Sequence, residues 1–334
     1  MNPVRFGLIA CSSVARRRFL PALAGASLAR LERVGSRDPA RAEQYAREFG
    51  CAKHGSYDAV LADPEVDAVY ISTPPTQHDE WIRKAAAAGK HVWCEKPACR
   101  DFQAAREAVE CCRAAGVRLA EGYVFKFHPQ HARVQALIAE QRIGTPRFFH
   151  ADLIYPYPPA EDIRWKPDLE GGVGRDSAGY PVAAALLQLT GKPVSLFCQR
   201  GLDARTGVDD SFCLWMRFST GVMVQGLAAF GAQYRSRYAV VGTQGRLEVQ
   251  RAFAVPPDKP AALVLETDAG EEKIQIAPAD QFRLMIEEFS AQVRGAAAVR
   301  KDFEAELVRQ AAVMEAAARS SREGRVIDLS EYPV

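Results

Sequence analysis

The sequence predicts an α/β protein with a doubly wound parallel sheet in its N-terminal part, followed by an α+β domain with a mostly antiparallel, open sheet. From residue 4 to about residue 122, short apolar runs alternate with amphipathic stretches, which is typical of parallel strands joined by crossover helices. After residue 123 longer runs of alternating polarity follow, which favour antiparallel strands. A chain of 334 residues exceeds the usual size of one domain, so we predict two domains, residues 1–122 and 123–334.

The elements of the first domain follow from periodicity and from end signals. The predicted strands are VRFGLIA, LERVGSRD, VDAVYIST, KHVWCEKP and VRLAEGYV, and the helices between them are ARRRFLPALAG, PARAEQYAREFG, TQHDEWIRKAAAAG and AAREAVECCRAAG. Gly25 ends the first helix, while Pro39 and Gly50 mark the two ends of the second. This alternation of strands and helices predicts the doubly wound sheet.

The second domain is predicted to begin with a helix, to continue with strands and to close with two helices. The opening helix is HPQHARVQALIAEQRIG, and the strands include FCLWMRFST, GVMVQGLAAF, RYAVVGT and GRLEVQRAF. The closing segments, DQFRLMIEEFSAQVRG and FEAELVRQAAVMEAAARSSREG, have helical periodicity and charged outer faces. We assign both closing helices to this second domain.

Composition indicates a globular protein with a small-molecule partner. The net charge of +2 gives no broad attraction to nucleic acid or to an anionic membrane. We also find no secretory signal and no apolar stretch long enough to span a bilayer. The eight cysteines contain no C-x-x-C pair, so we expect reduced thiols in a cytoplasmic protein. His128 and His131 have metal-like spacing but no further ligand nearby, so we predict no metal site.

The end of the first predicted strand lies where a dinucleotide-binding (Rossmann) fold carries its G-x-G-x-x-G/A turn. Ala10, Ser12 and Ala15 occupy the three special positions, so two of the expected glycines are missing. Small residues still permit close backbone approach to a pyrophosphate, and Ser12 or Ser13 can cap the helix that faces the phosphates. We therefore predict that Ala10, Ser12, Ser13 and Val14 contact the cofactor.

The end of the second predicted strand indicates which nicotinamide cofactor is used. An acidic residue at this point binds the ribose of NAD, but Ser36 and Arg37 stand here. A hydroxyl and a guanidinium suit a 2′-phosphate, which favours NADP(H) over NAD(H). The alternative is that Arg37 is an ordinary exposed turn residue. In either case Asp38 is expected to cap the helix that begins at Pro39.

Several further motifs make the sequence recognisable. They are Glu95-Lys96-Pro97, Ser72-Thr73-Pro74-Pro75-Thr76-Gln77-His78, Glu121-Gly122-Tyr123 with Phe127-His128-Pro129, and the segment from Gly171 to Tyr180, GGVGRDSAGY. With these motifs the sequence resembles the glucose–fructose oxidoreductase, inositol dehydrogenase and rhizopine-catabolism (Gfo/Idh/MocA) family over nearly the whole chain.

The resemblance implies that Lys96 lies in the active site and works with an acid/base, Tyr180, from the D-x-x-x-[HY] segment of the second domain. Hydride transfer needs a proton moved to or from the carbinol oxygen as charge develops there, and an ammonium and a phenol suit that task. Asp176 is expected to orient the substrate or to tune its neighbours. Ala178 stands where the family often has glycine.

The remaining candidates line the same site. Pro74 and Pro75 are expected to shape the loop under the nicotinamide, and Thr73 and Pro74 are expected to contact the cofactor. His78 is expected to act as a cap or hydrogen-bond partner or as a cofactor contact. Glu95 and Lys96 are further candidates for cofactor binding, and the resemblance implies a cis peptide before Pro97. Tyr123, Arg164 and Trp165 are candidates for the substrate pocket, although packing explains Trp165 equally well.

Two stretches, SSVARRRFLPAL and YAVVGTQGRLEVQRAFAVPPDKP, are similar to nucleotide-sugar ketoreductases. The favoured interpretation is an NADP(H)-dependent oxidoreductase acting on a sugar-like substrate. Two alternatives stay open, a dehydrogenase of a cyclic polyol or dihydrodiol and a non-catalytic nucleotide-binding regulatory protein on the same scaffold. The open sheet is a candidate surface for a homodimer or homotetramer.

Overall fold

The computed structural model describes residues 2–299 and 301–333 and divides into two compact units. The first consists of Met1–Val124 and Phe282–Arg309, and the second of Phe125–Gln281 and Gln310–Val334. The chain therefore passes from one unit to the other three times.

The first unit is built on a six-stranded parallel sheet. Its strands are β1 (Val4–Ile9), β2 (Ala29–Gly35), β3 (His54–Gly55), β4 (Ala68–Ile71), β5 (His91–Cys94) and β6 (Leu119–Glu121), paired in the order β3-β2-β1-β4-β5-β6. The last residues of β1, β4 and β5, namely Ile9, Ile71 and Cys94, lie side by side in register. The loops that follow these strands therefore share one edge of the sheet, where doubly wound folds bind ligands. The predicted sheet is confirmed.

Helices connect these strands. A π-helical turn, Ala15–Phe19, leads into α1 (Leu20–Ala24), and the others are α2 (Pro39–Glu48), α3 (Tyr57–Ala62), α4 (His78–Ala87) and α5 (Phe102–Ala114). Asp38, Ser56 and Asp101 cap α2, α3 and α5 by accepting backbone N–H groups. Strand β3 and helix α3 were not predicted from the sequence, because elements this short carry little periodicity.

The second unit contains a nine-stranded sheet. Its strands are β7 (Pro146–Tyr155), β8 (Pro193–Leu202), β9 (Asp209–Phe218), β10 (Met223–Phe230), β11 (Arg235–Gly242), β12 (Gly245–Val249), β13 (Ala261–Thr267), β14 (Gly270–Ile276) and β15 (Ile327–Asp328). The order is β14-β13-β12-β11-β7-β10-β9-β8-β15. Neighbouring strands are antiparallel except β7 and β10, which are parallel. The predicted mostly antiparallel sheet is confirmed.

One face of this sheet is covered and the other is open. The remaining helices are α6 (Pro129–Ala139), α7 (Val173–Asp176), α8 (Gly179–Gln188), α9 (Gln281–Val293) and α10 (Phe303–Glu323). Helix α8 packs on β7 and β10, and burial alternates from residue to residue along β10. The uncovered face carries exposed apolar side chains that include Phe148, Trp215 and Met223.

The core of the first unit explains why the segment Phe282–Arg309 belongs to this unit. Phe289 on α9 is fully buried, with its ring centroid 6.1 Å from that of Phe6 and 6.3 Å from that of Trp93. This helix was predicted to belong to the second domain. Its aromatic packing on β1 and β5 places it in the first unit instead, so residues 123–334 are not one contiguous unit.

A polar cluster lies in the core of the second unit. The hydroxyl of Tyr238 lies 2.8 Å from His131 Nδ1, and His131 Nε2 lies 3.2 Å from the carbonyl oxygen of Ala252. His128 is 1% exposed, and its Nε2 has no hydrogen-bond partner within the described residues. Burial lowers the pKa of His131 to about 3, with a smaller effect of His128, and lowers the pKa of His128 to about 4. Both rings are therefore neutral at physiological pH.

The state of the cysteines and the character of the helices bear on the predicted class of protein. All eight cysteines carry free thiols. Across residues 2–299 and 301–333, no helix combines the length and the apolar character that a membrane crossing requires.

Candidate active site

The loop after β1 forms a tight turn that carries predicted cofactor residues. Ala10 has a φ of +81°, in the left-handed region that favours glycine, at a cost of roughly 1–2 kcal/mol for a residue with a Cβ. The N–H of Ser12 donates to the carbonyl oxygen of Ala10 at 3.0 Å. Ser12 Oγ accepts the N–H of Ala15 at 3.1 Å. Of the two predicted caps, Ser12 is therefore the one that caps this helix.

A second serine, which the sequence analysis gave no role, holds this turn. Ser12 Oγ donates to Ser72 Oγ at 2.7 Å, and Ser72 Oγ donates to the carbonyl oxygen of Ala10 at 3.0 Å. Because the Ser12 hydroxyl is used within the protein, the groups left for a pyrophosphate are backbone N–H groups. Ser13 and Val14 lie in the first turn of the helix, where such N–H groups have no intrahelical acceptor.

A cleft of about 410 Å³ lies beside the end of β2. Residues that line it include Ser36, Arg37, Pro39, Tyr57, Gln77 and Trp81. The rings of Tyr57 and Trp81 meet edge to face with centroids 4.9 Å apart. Ser36 Oγ accepts the N–H of Asp38 at 3.1 Å, and the Ser36 hydroxyl also forms a hydrogen bond with the Cys11 side chain.

The charged side chains that line this cleft are Arg37, Asp58 and Glu80, and Arg41 on α2 is a further cation that was not predicted from the sequence. Asp38 caps α2 as predicted, accepting the N–H of Ala40 at 3.0 Å. Arg41 lies in the first turn of α2, with its guanidinium 5.9 Å from the ring centroid of Tyr45. Neither Arg37 nor Arg41 forms an ion pair with a carboxylate in the described part of the chain. Cations at a helix N-terminus are disfavoured unless an anion binds there. The presence of Arg37 and Arg41, four residues apart at the start of α2, was therefore the sequence signal for an anion site.

The Glu95-Lys96-Pro97 segment follows β5. Tyr70 Oη donates to Glu95 Oε1 at 2.6 Å, and burial raises the pKa of Glu95 against the opposing effects of Tyr70 and Lys96. Lys96 is half-buried, and the Lys96–Pro97 peptide is cis, as the resemblance implied. The glutamate side chain is therefore engaged with Tyr70 of the neighbouring strand.

His78 is the predicted cap or hydrogen-bond partner that the structure connects to two loops. Its Nε2 lies 2.9 Å from the carbonyl oxygen of Thr73, and its Nδ1 lies 2.9 Å from that of Pro97. Thr73 is buried and is followed by Pro74, which precedes a short 3₁₀ turn before α4. Hydrogen bonding to the backbone thus accounts for both ring nitrogens of His78.

Asp176 in the second unit is held by two side chains. Arg164 Nε donates to Asp176 Oδ2 at 3.0 Å, and the Tyr155 hydroxyl donates to the same oxygen. Burial, and next the charge of Asp176, raise the pKa of Tyr155 well above its usual value. The guanidinium of Arg164 also donates to Asp162 at 3.0 Å. Tyr155 was missed because β7 was not among the predicted strands.

Tyr180 lies at the start of α8. Its ring centroid is 5.7 Å from that of Phe125 and 5.4 Å from that of Phe253. The side chain is half-buried. The carbonyl oxygen of the preceding Gly179 accepts Gln310 Nε2 at 2.9 Å. The aromatic contacts of its ring and the hydrogen bond at Gly179 therefore hold Tyr180, the candidate proton donor, in position.

A buried aspartate explains the glycines before Asp176. Asp209 Oδ2 accepts the N–H of Gly174 at 2.8 Å. A Cβ on Gly172, whose φ is +108°, would lie 2.1 Å from Asp209 Oδ1. Side chains at this position are excluded by both space and backbone conformation. The G-G-x-G run was the sequence signal, but only the fold shows that Asp209 is its partner.

The substrate candidates divide between the units. Lys96 and Tyr123 lie in the first unit, where Tyr123 is buried, whereas Arg164, Asp176 and Tyr180 lie in the second.

Trp165, also in the second unit, is buried. Its Nε1 donates to the carbonyl oxygen of Pro158 at 3.1 Å, and its ring centroid lies 5.4 Å from that of Phe230. These contacts support the packing explanation for Trp165. Within the described residues, no group of three or more histidine, cysteine or acidic side chains is placed to hold a metal ion.

Family models match both parts of the chain. Residues 4–123 match the NAD-binding Rossmann fold of the Gfo/Idh/MocA oxidoreductase family, and residues 131–248 match the Gfo/Idh/MocA C-terminal domain. The predicted resemblance is confirmed.

Named relatives match nearly the whole length. The dTDP-3,4-didehydro-2,6-dideoxy-α-D-glucose 3-reductase of Saccharopolyspora spinosa is 34% identical over 328 residues, covering 97% of this chain and 99% of that protein. The D-xylose 1-dehydrogenase (NADP⁺) 2 of Haloferax volcanii is 33% identical over 326 residues, covering 97% and 99%. A crystal structure of KijD10, a 3-ketoreductase from Actinomadura kijaniata in complex with NADP and TDP-benzene, has a TM-score of 0.91 and 31% identity, covering 96% and 98%.

Proposed function

Since the chain belongs to the Gfo/Idh/MocA family of NAD(P)-dependent oxidoreductases, we propose that it transfers a hydride between NADP(H) and the carbonyl or hydroxyl carbon of a sugar or nucleotide sugar. When bound in its reduced form, the nicotinamide supplies the hydride. The observation that carries the proposal is the similarity to the ketoreductase KijD10 along nearly the full length of both chains. Relatives named as a dTDP-sugar reductase and a xylose dehydrogenase support the same substrate class.

The first unit fits a dinucleotide. The turn at Ala10 and Ser12 has the backbone conformation that a pyrophosphate loop needs, and a helix begins directly after it. The cleft beside β2 offers aromatic side chains, Tyr57 and Trp81, next to the polar Ser36. We propose that these residues hold the two ends of the adenosine diphosphate moiety.

We propose NADP(H) as the preferred form. The Ser36 hydroxyl can donate its proton to a phosphate oxygen, and Arg37 and Arg41 supply positive charge without a competing carboxylate partner among the described residues. Asp38 does not compete, because its carboxylate caps α2. A ribose-binding acid of the NAD type is therefore missing from this position.

We propose that Tyr180 and Lys96 handle the proton. Reduction of a carbonyl places negative charge on its oxygen, so a proton must arrive there. The phenol of Tyr180 donates that proton, and the ammonium of Lys96 stabilises the developing charge on oxygen. Structures of KijD10 have been determined with a lysine changed to alanine or glutamate and with a tyrosine changed to phenylalanine. These two residues have the same sequence separation as Lys96 and Tyr180, which supports the assignment.

We propose a binding role for Asp176. Its carboxylate accepts from Arg164 and from Tyr155, and both interactions favour the ionised form. An ionised carboxylate accepts hydrogen bonds and cannot deliver a proton. Asp176 therefore orients a substrate hydroxyl, and the proton comes from Tyr180.

A polyol or dihydrodiol dehydrogenase is the second candidate, because a trans-1,2-dihydrobenzene-1,2-diol dehydrogenase of Xenopus tropicalis is 26% identical over 220 residues. A non-catalytic binding protein is disfavoured, since Lys96 and Tyr180 are both present in this chain. We also propose a cytoplasmic protein, which the eight free thiols support.

We propose that the open sheet of the second unit forms a homo-oligomer interface. Met223 pairs with Phe148 across β10 and β7, and Gln225 pairs with Trp215 across β10 and β9, so the three apolar side chains share one face. Phe148 is 56% exposed, Trp215 47% and Met223 39%. Such a cluster of exposed apolar groups on one face is typical of an interaction surface.

The proposed function is tested by incubating the full-length protein with each nicotinamide and a panel of substrates, with turnover read from the absorbance of the reduced cofactor. The panel contains keto sugars, dTDP-keto sugars, aldoses, inositols and dihydrodiols. We expect turnover of a sugar or nucleotide sugar, faster with NADP(H). Turnover of a dihydrodiol alone would favour the second candidate. Absence of binding of either cofactor would refute the enzyme assignment.

A further inference from the structure

The His78 imidazole lies between two backbone carbonyl groups that belong to different loops. One is that of Thr73, in the loop after β4, and the other is that of Pro97, in the loop after β5, both at 2.9 Å from a ring nitrogen. The side chain is 1% exposed, so water cannot replace either partner. Because a carbonyl oxygen can only accept, each ring nitrogen is required to donate.

This requirement fixes the protonation of the ring. A neutral imidazole has one N–H, and its second nitrogen would direct a lone pair at a carbonyl oxygen. Only the doubly protonated ring satisfies both contacts. His131 in the second unit is the contrasting case, because its partners are one carbonyl, the side-chain amide nitrogen of Gln130 and one hydroxyl. That combination suits a neutral ring, since the hydroxyl can donate.

Burial disfavours a charged ring at His78, as it does at His128 and His131, so a cation there depends on charged groups in the adjoining segments. Asp79 follows His78 on α4 and lies 3.9 Å from the guanidinium of Arg100. Glu121 at the end of β6 accepts the N–H of Ala98 at 2.9 Å. Glu95, Lys96 and Asp101 are the other charged residues of the loop after β5, and Asp101 caps α5. Asp79 and Glu121 are carboxylates that favour a positive charge on the ring, whereas burial raises the pKa of Glu95 and so reduces its contribution.

The two hydrogen bonds act on the residue that precedes Pro97. Lys96 shares its peptide group with Pro97, whose carbonyl is held by His78, while the next N–H, that of Ala98, is held by Glu121. The backbone after Lys96 is therefore anchored on both sides. The same imidazole anchors Thr73, in the loop that carries the predicted nicotinamide contacts.

We infer that His78 is a positioning residue, which donates both of its N–H groups and so holds Lys96 and the Thr73 loop in one fixed arrangement. The inference rests on the proposed function, in which Lys96 acts on the reacting oxygen. Loss of the bridge lets Lys96 shift relative to the cofactor loop, and small displacements of a catalytic group reduce turnover strongly. Binding of the substrate and of NADP(H) depends much less on the two hydrogen bonds of His78.

The first experiment reads the ring itself and does not depend on any substrate. Nitrogen-15 NMR of the full-length protein labelled at histidine is recorded at neutral pH, and the His78→Gln variant identifies the signals of His78 among the six histidines. We expect both ring nitrogens of His78 to give the chemical shifts of protonated imidazole nitrogens. A nitrogen of the unprotonated, pyridine-like type in His78 would overturn the inference.

The second experiment separates positioning from folding. His78→Gln retains one donor and His78→Leu retains none, while His91→Gln makes the same change at the opposite end of β5, where His91 Nδ1 accepts the N–H of Arg118. We expect His78→Gln to lower kcat about tenfold and His78→Leu further, with KM and the Kd of NADP(H) within about threefold of wild type. His91→Gln is expected to retain kcat.

The outcomes distinguish this inference from the proposed function. An unchanged kcat in both His78 variants, or an equal loss in His91→Gln, would overturn the positioning role. If wild-type protein turns over no member of the substrate panel, the proposed function fails, and the NMR measurement still decides the double donation. If the His78 variants do not fold, the signals are assigned instead by substitution of the other histidines.

Discussion

The hydroxyl of Ser12 donates to the hydroxyl of Ser72 at 2.7 Å, which ties the turn after β1 to the end of β4. Ser72 in turn donates to the carbonyl oxygen of Ala10, the residue in the left-handed conformation. Ser72→Ala removes both hydrogen bonds and should loosen the turn. At about 1 kcal/mol of lost binding, we expect the Kd of NADP(H) to rise about fivefold.

Fluorescence titration of the reduced cofactor measures this change. Ser290→Ala is the matched control, because Ser290 is buried in the same unit and its hydroxyl has no hydrogen-bond partner within the described residues. An equal Kd in Ser72→Ala and in wild type would show that the serine pair does not support the cofactor loop.

Lys96→Met and Tyr180→Phe should each reduce kcat by at least about a hundredfold, because the first removes the cation that stabilises the charge on oxygen and the second removes the proton donor. Cofactor binding should persist. Steady-state kinetics and cofactor titration are compared with Lys273→Met and Tyr234→Phe, which change exposed side chains of the same types. Wild-type turnover in both active-site variants would remove the proton-handling assignment.

Arg37→Ala should weaken NADPH binding about tenfold and leave NADH binding within about twofold, because only NADPH carries the 2′-phosphate. We expect a smaller loss of the same kind for Arg41→Ala. Arg47→Ala serves as the control on α2, since Arg47 is exposed and pairs with Glu43. Equal losses of NADPH and NADH binding would count against the phosphate assignment.

The buried histidines of the second unit make stability depend on pH. Their pKa values fall from 6.5 to about 4 for His128 and to about 3 for His131. Below pH 6.5 the unfolded chain takes up protons that the folded chain does not bind. The two histidines therefore contribute fully to the free energy of unfolding above that pH. This contribution is lost as pH falls, by up to about 1.4 kcal/mol per histidine per pH unit.

Urea unfolding between about pH 7 and about pH 5 measures this slope. His128→Asn should reduce it, since an amide does not titrate. A free energy of unfolding that stays constant across the range would contradict the burial of neutral rings.

Trp215→Asp should shift the protein toward the monomer, because a charge on the open sheet face would be desolvated in an interface. Light scattering coupled to size-exclusion chromatography gives the mass directly. Val326→Asp is the control, since Val326 is exposed and lies outside the strands. If wild type is already a monomer, or if Trp215→Asp keeps the wild-type mass, the open face is not the interface.

Periodicity predicted the elements that bury one regular face. The sheet of the first unit and its main helices were obtained in this way, and the residue types at the end of β2 gave the capping role of Asp38. The NADP(H) preference expected from Ser36 and Arg37 stays a prediction. The same signal is weak for β3 and α3, which are very short. Strand β7 was not among the predicted strands, so Tyr155, which lies on it, was missed as well.

The remaining features depend on contacts between residues distant in sequence. Asp209 binds the N–H of Gly174, and Ser72 binds Ser12 and Ala10. The partners of His78 are backbone carbonyls, which have no residue-specific signature in a sequence. Such contacts arise only when the fold brings separate segments together, so a sequence pattern could suggest the glycines and the histidine but not what holds them.

The aromatic packing of Phe289 also bears on synthesis and on dissection of the chain. The ribosome finishes the parallel strands long before it makes α9, so the nascent first unit lacks a buried aromatic side chain on β1 and β5 until residues beyond 289 have emerged. A fragment that ends at residue 122 would carry the same defect permanently. A recombinant cofactor-binding fragment would instead have to join Met1–Val124 to Phe282–Arg309 through a designed linker.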